Sequence, residues 1–246
     1  MTYFATENAA ARYDMYRPKV HNTVLDWLSE CLGEIRYRKA IDVACGTGDS
    51  TSPLTRISDS VLGIDSSEAM LKYARDKNLE VQNLSYNELK QVNEFDLIST
   101  CMAFHWFDPE EALQVFKTIS TEGAIWVIYN FYFGGHETSK QFNRWLVKDY
   151  LTSYPSPPRN KSNYVVPKDD PELTLLKQQK GVIQLDFSDE ELVGYLTTQS
   201  NIEHAVAQGK SYAEVSSELE RQVSQLNTEG YFRYNFTYEI FRFENN

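Results

Sequence analysis

A strand that leads through two closely spaced glycines into a predicted helix is the feature that most constrains how this chain folds. Residues 41–50 read Ile-Asp-Val-Ala-Cys-Gly-Thr-Gly-Asp-Ser, and the glycines are Gly46 and Gly48. Because glycine has no β-carbon, both positions can take a positive φ and let a ligand lie against bare backbone. The helix that follows would offer its unpaired N-terminal amides. This junction predicts a binding site for a nucleotide-like cofactor.

A second apolar strand ends on an acid whose distance from the glycines is informative. Residues 60–64 read Ser-Val-Leu-Gly-Ile and lead to Asp65, which lies 19 positions after Gly46. That spacing is about the one at which an acidic side chain reaches a cofactor ribose. A dinucleotide fingerprint would carry a third glycine three residues after the second, and Thr51 stands there instead. The sequence therefore indicates an adenosine site and argues against an NAD or FAD enzyme.

Composition narrows the class of protein. The 246 residues are 41% hydrophobic, enough for the core of one large α/β domain. The net charge of −11 disfavours a polyanionic partner such as nucleic acid. The N-terminal residues lack a basic and apolar leader, and no run approaches about 18 consecutive apolar residues, so we expect a cytoplasmic protein with no membrane partner. Cys31, Cys45 and Cys101 lie outside any Cys/His cluster, which predicts neither a disulfide framework nor a metal site.

Hydrophobic periodicity predicts alternating strands and helices in the first half of the chain. Pro18 is expected in the first turn of a helix that contains Val24 and Leu28. Ser66 or Ser67 would cap another helix, and the run 108–111 marks a further helix start. Strands are predicted over about 39–43, 60–64, 79–83, 95–100 and 123–129, with a helix over about 49–57. Repeated strand–helix units of this kind imply a parallel sheet.

The second half of the chain has a different pattern. After residue 130 it becomes more polar and helical, with a proline-rich break over 154–158 and capping boxes that begin at Ser188 and Ser211. Residues 232–240 alternate between apolar and more polar side chains, as is typical of a strand. Phe241 falls in the opposite phase, so we expect the strand to end or bulge near Ile240. Residues 182–187 are a weaker candidate for a partner strand.

Asp42, Gly46 and Gly48 fill the pattern acid-x-x-x-Gly-x-Gly, which resembles motif I of the class I S-adenosylmethionine-dependent methyltransferases. Asp65 matches the acid that hydrogen-bonds the cofactor ribose in that family. Residues 102–108 read Met-Ala-Phe-His-Trp-Phe-Asp and are similar to a segment of the trans-aconitate methyltransferase-like subgroup, which acts on small molecules. An N-terminal run over 10–18 also resembles that subgroup. The resemblance covers about residues 9–129.

The resemblance implies a fold. It is an α/β fold with a Rossmann-like, mostly parallel seven-stranded sheet, an antiparallel last strand, helices on both faces and a helical cap insertion after strand five. It implies a single methyltransferase domain over residues 1–246. Within that domain we expect an N-terminal helical segment (1–38), a cofactor-binding core (39–129), a cap insertion with a candidate sixth strand (130–230) and the last strand (231–246).

The resemblance also implies that the cofactor is S-adenosyl-L-methionine. The expected cofactor contacts are Tyr13, Arg17, Asp42, Ala44, Gly46, Gly48, Asp65, Ser66, Met70, Ser85, Tyr86 and Cys101. The chain departs from the family after strand three, where an acid-Ala pair is common and Ser85 and Tyr86 stand instead. A serine hydroxyl can still accept a hydrogen bond from the adenine amino group. Tyr13 and Arg17 have an alternative interpretation as an exposed surface pair, and Cys45 is interpreted as a small residue beside the glycines.

Methyl transfer from a sulfonium is an in-line displacement, so the protein mainly has to align the acceptor, the methyl carbon and the sulfur. The expected acceptor is a small molecule, with a carboxylate as one candidate; a carboxylate is already ionised at pH 7 and would need no general base. For a hydroxyl or amine acceptor, His105 is the candidate catalytic base, and its alternative is a histidine that stabilises its loop. The expected substrate contacts are His105, Trp106 and Arg144. Trp106 and Phe107 also fit a packing role.

An acidic protein that binds a small acid needs local positive charge, for which Arg17, Arg144, Lys148 and Arg159 are the candidates. Two other functions stay open: a nicotinamide-dependent oxidoreductase, and a regulatory module that binds an S-adenosyl ligand without catalysis. The acceptor atom and the oligomeric state are not determined by the sequence.

Overall fold

The computed structural model of this protein describes residues 4–157 and 170–244. The strands are β1 (Tyr37–Val43), β2 (Ser58–Asp65), β3 (Val81–Asn83), β4 (Phe95–Cys101), β5 (Ser120–His136), β6 (Leu173–Leu185) and β7 (Phe232–Phe243). Within the described residues these strands form one sheet in the order β3-β2-β1-β4-β5-β7-β6. The pairs from β3 to β5 are all parallel.

The last strand runs antiparallel to its neighbour β5. Tyr234 of β7 stacks on Phe131 of β5 with ring centroids 5.4 Å apart, and Phe232 stacks on Phe133 at 5.9 Å. Residue numbers therefore fall along β7 as they rise along β5. This confirms the predicted fold class, a mostly parallel seven-stranded sheet with an antiparallel last strand.

Helices join most of these strands. The α-helices of the described residues are α1 (Glu7–Tyr16), α2 (Thr23–Leu32), α3 (Thr51–Leu54), α4 (Glu68–Asp76), α5 (Pro109–Ile119), α6 (Lys140–Trp145), α7 (Leu151–Ser153), α8 (Asp189–Leu196), α9 (Ser200–Ala207) and α10 (Tyr212–Val223). The predicted caps are confirmed, because the side chains of Ser67, Asp108, Ser188 and Ser211 each accept the amide three residues on. Across the parts of the chain that the structure describes, no helix is long and apolar enough to cross a membrane.

Two helix predictions were wrong in their bounds. Helix α2 begins at Thr23, and Pro18 lies just after α1 instead of in the first turn of α2. A proline disfavours helical geometry at the residue before it, and Arg17 accordingly has φ −72° and ψ 134°. Helix α3 has only four residues, where 49–57 was predicted. After α3, the amides of residues 55–57 donate hydrogen bonds to the carbonyls three residues earlier, which is 3₁₀ geometry. This 3₁₀ turn leads directly into β2.

The strand predictions found the right elements with different ends. Strand β5 continues to His136, seven residues past its predicted end, because its second half stacks its aromatic side chains on β7. Strand β6 begins at Leu173, before the predicted start at residue 182. The first part of this strand is too polar for its sequence to indicate a strand. Strand β7 does not end near Ile240. Ile240 and Phe241 are both buried, so the burial phase changes inside a continuous strand.

The described residues form two compact units, which we name for their contents. The glycine-loop unit comprises residues 19–130, 170–180 and 237–244, and the aromatic unit comprises residues 4–18, 131–157 and 181–236. Strands β5, β6 and β7 divide their residues between the two. In the glycine-loop unit, Phe116 of α5 packs edge-on against Trp126 of β5 at 5.5 Å. In the aromatic unit, Phe232 of β7 contacts Phe142 of α6 at 5.2 Å.

Candidate functional site

The carboxyl ends of β1, β2 and β4 lie side by side in the glycine-loop unit. Val43 is in register with Ile64, and the Thr100 hydroxyl of β4 donates to the Val43 carbonyl at 3.0 Å. Since parallel strands end at the same edge of a sheet, the segments that follow them meet there. This edge collects the glycine loop, Asp65 and the segment 102–107.

Asp65 ties the glycine loop to the end of β2. Its Oδ2 accepts a hydrogen bond from the Gly46 amide at 2.9 Å, and its Oδ1 accepts one from the Ser67 amide at 2.8 Å. The pKa of this carboxyl is raised, because the effect of burial outweighs that of the two amide hydrogen bonds, which lower it. Each oxygen keeps a further lone pair, and the residue is partly exposed. The carboxylate can therefore accept two additional donors, as the two hydroxyls of a ribose would supply.

The backbone conformation and the close packing at positions 46 and 48 both favour glycine. Gly46 has φ 54° and Gly48 has φ 82°, which are left-handed conformations that favour glycine. A β-carbon on Gly48 would lie 3.0 Å from the β-carbon of Ala74 in α4 and would overlap the side chain of Leu79. A β-carbon on Gly46 would lie 3.3 Å from Met70 Cε. The loop thus passes close under α4, and Met70 reaches Gly46.

Ala44 begins the loop in a conformation that is unusual for a residue with a side chain. Its φ is 61°, in the left-handed region, which costs roughly 1–2 kcal/mol for an L-residue other than glycine. The next residue, Cys45, is buried, and burial raises the pKa of its thiol. A buried neutral thiol fits the interpretation of Cys45 as a small packing residue.

Asp42 lies behind the loop and is wholly buried. Its Oδ2 accepts hydrogen bonds from the hydroxyls of Ser50 and Thr51, both at 2.7 Å. Burial raises the pKa of this carboxyl to about 6, although the hydroxyl hydrogen bonds lower it. Asp42 therefore anchors the far end of the loop, and its carboxylate is covered by protein.

A charge cluster that the sequence analysis missed also holds the loop. Asp49 forms ion pairs with Lys19 at 2.6 Å and with Lys77 at 2.7 Å, and Lys77 also donates to the Thr47 carbonyl at 2.8 Å. Burial raises the Asp49 pKa, but the two lysines outweigh it and the pKa is lowered. Because Lys77 is 28 positions from Asp49, no local pattern predicts this contact.

Four further predicted contacts lie at or just after the ends of β2, β3 and β4. Ser66 is exposed between β2 and α4, and Cys101 is buried at the end of β4. Ser85 is half-buried and precedes a 3₁₀ turn that begins at Tyr86. The Tyr86 hydroxyl donates to Glu111 of α5 at 2.6 Å, and burial together with this bond raises the Tyr86 pKa to about 12. Its hydroxyl is thus engaged with α5.

The segment after β4 presents two aromatic side chains. It forms a 3₁₀ turn over Phe104–Trp106. His105 is partly exposed, its ring lies 4.7 Å from that of Trp106, and Trp106 is 38% exposed. Phe107 is buried in the hydrophobic core, so the packing interpretation holds for that residue.

The remaining predicted residues belong to the aromatic unit. Arg17 is only 6% exposed, and its guanidinium lies 4.7 Å from the ring centroid of Tyr13, so the surface-pair interpretation is wrong. Arg144 of α6 and Lys148 are exposed, as expected of surface cations. Arg159 lies outside the described residues.

Known proteins resemble this chain in sequence. Residues 40–121 match a family described as a methyltransferase domain. The ubiquinone biosynthesis O-methyltransferase of Acinetobacter baylyi is 29% identical over 125 residues, which cover 46% of this chain and 52% of that protein. The chain therefore spans about half the length of the curated relatives it matches.

Solved structures share the fold. A protein of Anaeromyxobacter dehalogenans assigned as a type II methyltransferase superposes with a TM-score of 0.67 at 18% identity, covering 93% of this chain and 98% of that one. Phosphoethanolamine N-methyltransferase 2 of Haemonchus contortus, in complex with phosphomonomethylethanolamine and S-adenosylhomocysteine, gives a TM-score of 0.54 at 14% identity, covering 98% of this chain and 58% of that one. At these identities the likeness shows the fold alone, a Rossmann-like α/β fold.

Proposed function

We propose that this chain, which carries a class I S-adenosylmethionine-dependent methyltransferase domain, transfers a methyl group from S-adenosylmethionine to a small molecule. The observation that carries the proposal is the carboxylate of Asp65 at the end of β2. It is bound to the Gly46 and Ser67 amides and keeps lone pairs for two further donors. A ribose diol next to a glycine loop fits that pattern of acceptors.

The cofactor contacts of this proposal combine three kinds of group. Asp65 accepts the ribose hydroxyls, the backbone of Ala44, Gly46 and Gly48 lets the ligand approach closely, and Met70 supplies apolar contact. The remaining proposed contacts are Tyr13, Arg17, Ser66, Ser85, Tyr86 and Cys101. Asp42 does not contact the cofactor in this proposal and acts indirectly, because its buried carboxylate holds Ser50 and Thr51 in place.

The acceptor is proposed to be a small acid that is methylated on a carboxylate oxygen. The curated relatives are O-methyltransferases, which favours oxygen as the acceptor atom. The bound cofactor supplies a sulfonium methyl. A lone pair of the acceptor oxygen would form the new O–C bond as the S–C bond breaks, and the electron pair of the S–C bond would stay on the sulfur. A carboxylate releases no proton in this step, so positioning carries most of the catalysis.

His105 and Trp106 are proposed to contact the acceptor, with Arg144 as a further contact. We expect His105→Ala to lower turnover roughly 10- to 100-fold with the cofactor affinity unchanged, because the acceptor carboxylate loses a hydrogen-bond donor. The measurement is kcat together with the Kd of S-adenosylhomocysteine. His204→Ala in the aromatic unit is the matched control. Unchanged turnover in His105→Ala would make this histidine a structural residue of its loop.

The proposed function is tested by calorimetric titration of the protein with S-adenosylhomocysteine, with NAD as the control ligand. Saturable micromolar binding of S-adenosylhomocysteine alone is the expected result, and it would justify screening small carboxylic acids as methyl acceptors. Binding of NAD alone would favour an oxidoreductase. Binding of S-adenosylhomocysteine without turnover on any acceptor would favour a regulatory module. If neither ligand binds, the glycine loop has only an architectural role.

A further inference from the structure

Met102 holds a backbone conformation that is unfavourable for a residue with a side chain. Its φ is 55°, in the left-handed region where glycine and asparagine are common and other residues are rare. Among the described residues that share this conformation, Asn78 and Asn93 are asparagines, which tolerate it. Strained backbone of this kind persists only where the surrounding structure imposes it, and it is frequent at functional sites. The place of Met102 in the fold therefore calls for an explanation.

The turn at Met102 lies where the order of the strands reverses. From β1 the chain builds outward through β2 to β3, and it then returns to β4 on the opposite side of β1. Strands β1 and β4 are parallel, with Asp42 in register with Ser99. In open α/β sheets, ligands bind in the crevice outside the carboxyl ends of two such strands. Ala44 and Met102 are the first residues after β1 and β4, and both have a positive φ. Each segment that borders the crevice thus begins with a left-handed residue.

The segment after Met102 is anchored on both sides of the two residues that it exposes. The Met102 amide donates to a carbonyl of β5 at 2.8 Å, so the hydrogen bonding of the sheet continues up to the turn. Phe104 and Phe107 are buried in the hydrophobic core, with ring centroids 5.6 Å apart. Between them lie His105, which is partly exposed, and Trp106, which is 38% exposed. Because so few residues separate the turn from these anchors, the backbone direction at Met102 determines where His105 and Trp106 lie.

We propose that Met102 is a positioning residue whose left-handed turn places His105 and Trp106 at the crevice for the methyl acceptor. The turn carries the chain from the end of β4 to the core position of Phe104, and the two intervening side chains follow from that path. The proposal assigns no ligand contact to the Met102 side chain. The assignment of His105 and Trp106 to the acceptor rests on the proposed function, whereas the role of the turn rests on the contacts above.

Substitutions that differ in backbone preference separate the turn from side-chain packing. Leucine and isoleucine are isomers close to methionine in size, but isoleucine is branched at its β-carbon, and branched residues are disfavoured most strongly at positive φ. Met102→Leu should therefore keep the turn, and Met102→Ile should displace it. Met102→Gly removes the side chain and allows the turn freely. Asn93→Ile places the same branched side chain at an exposed left-handed position elsewhere, and it controls for a general loss of stability.

The fluorescence of Trp106 measures where the two side chains lie, without any ligand. A protonated imidazole quenches an adjacent indole, and the rings of His105 and Trp106 lie 4.7 Å apart. Subtracting the emission of the same variant with Trp106→Phe isolates Trp106 from the other tryptophans, and His105→Ala gives the unquenched baseline. We expect Met102→Ile to lose the quenching in acid and to change the accessibility of Trp106 to acrylamide. Met102→Leu, Met102→Gly and Asn93→Ile should retain the wild-type values of both.

Turnover gives a further readout that depends on the proposed function. With trans-aconitate as the methyl acceptor, Met102→Ile should lower kcat/KM roughly 10- to 100-fold, because the acceptor contacts are misplaced. The Kd of S-adenosylhomocysteine should stay unchanged. Met102→Gly should restore kcat/KM toward the wild-type value.

Two results would overturn the proposal. Equal Trp106 signals in Met102→Ile and Met102→Leu would show that the turn does not control the position of Trp106. A change of the same size in Asn93→Ile would show that Trp106 responds only to general destabilisation. If Met102→Ile does not fold, Met102→Thr takes its place, because threonine is also branched at the β-carbon but smaller. If wild type does not bind S-adenosylhomocysteine, the proposed function fails, and the fluorescence still decides the role of the turn.

Discussion

At the scale of single residues, two acids that follow similar patterns have opposite environments. Asp42 and Asp65 both lie at or near the end of an apolar strand and both match the family motif. Asp65 is partly exposed and bound by two amides, whereas Asp42 is wholly buried and bound by two hydroxyls. The sequence could not distinguish the two acids and predicted both as cofactor contacts. Their burial depends on which residues pack over each strand, and local spacing does not encode that.

The burial of Asp42 predicts a particular pH dependence of stability. Its pKa is raised to about 6 in the folded protein, so the folded state holds this proton more tightly than the unfolded chain. The free energy of unfolding should therefore fall by roughly 3 kcal/mol as the pH rises from about 4 to above 6. Asp42→Asn cannot ionise and should remove this component. Urea unfolding of both proteins at a series of pH values measures it, and parallel pH profiles would contradict the assignment.

The left-handed conformation of Ala44 predicts a stabilising substitution. Glycine adopts φ 61° without a steric cost, but it also loses more entropy on folding. We expect Ala44→Gly to raise the free energy of unfolding by roughly 0.5–1 kcal/mol, as the difference of these two effects. Ala40→Gly, in the extended part of β1, should lower it instead. Chemical denaturation of both variants is the measurement, and a loss of stability in Ala44→Gly would show that its methyl packing dominates.

At the scale of secondary-structure elements, the start of each capped helix was predictable and the length of several elements was not. A cap is a contact over three residues, so the serines and the aspartate that begin α4, α5, α8 and α10 are visible in the sequence. The extension of β5 to His136 depends on aromatic partners from β7, about a hundred positions away.

The cap of α4 offers a test at this scale, because the sequence left two serines as candidates. Ser67 is the cap, and its hydroxyl accepts the Met70 amide, whereas Ser66 is exposed. We expect Ser67→Ala to lower the free energy of unfolding by about 1 kcal/mol and Ser66→Ala to leave it nearly unchanged. Urea denaturation of the two variants measures the difference. An equal effect of the two substitutions would mean that the Ser67 hydroxyl contributes little to α4.

At the scale of the whole molecule, the described residues divide into two compact units with different contents. The glycine-loop unit contains the parallel strands and Asp65, and the aromatic unit contains Arg17 in a shell of tyrosines. Both depend on contacts between distant parts of the chain. Arg17 and Thr198, for example, are 181 positions apart. Periodicity and resemblance predicted the class of fold, but not which side chains each unit would bury.

Ligand binding should stabilise the molecule as a whole. S-adenosylhomocysteine at 100 times its Kd adds about 2.7 kcal/mol to the free energy of unfolding, which corresponds to a rise in Tm of roughly 5–10 °C. Asp65→Ala should weaken binding by roughly 1–3 kcal/mol and shrink this rise at the same ligand concentration. Asp59→Ala, an exposed acid of the same strand, is the matched control. Thermal melts with and without ligand measure the shift, and a full shift in Asp65→Ala would remove Asp65 from the site.

The resemblance to a known family implied the class of fold. The sequence by itself determined the alternating strands and helices of the first half, the glycine loop and its spaced acid, and the capped helix starts. These follow from periodicity, glycine and short-range hydrogen bonds, which are properties of a few consecutive residues. Only the tertiary structure decided that Asp42 is buried, that Lys19 and Lys77 hold Asp49, and that Arg17 is an interior cation bonded to the Thr198 carbonyl. Burial and ion pairing depend on groups that are far apart in the chain. They are therefore established only when the sheet and its helices pack together.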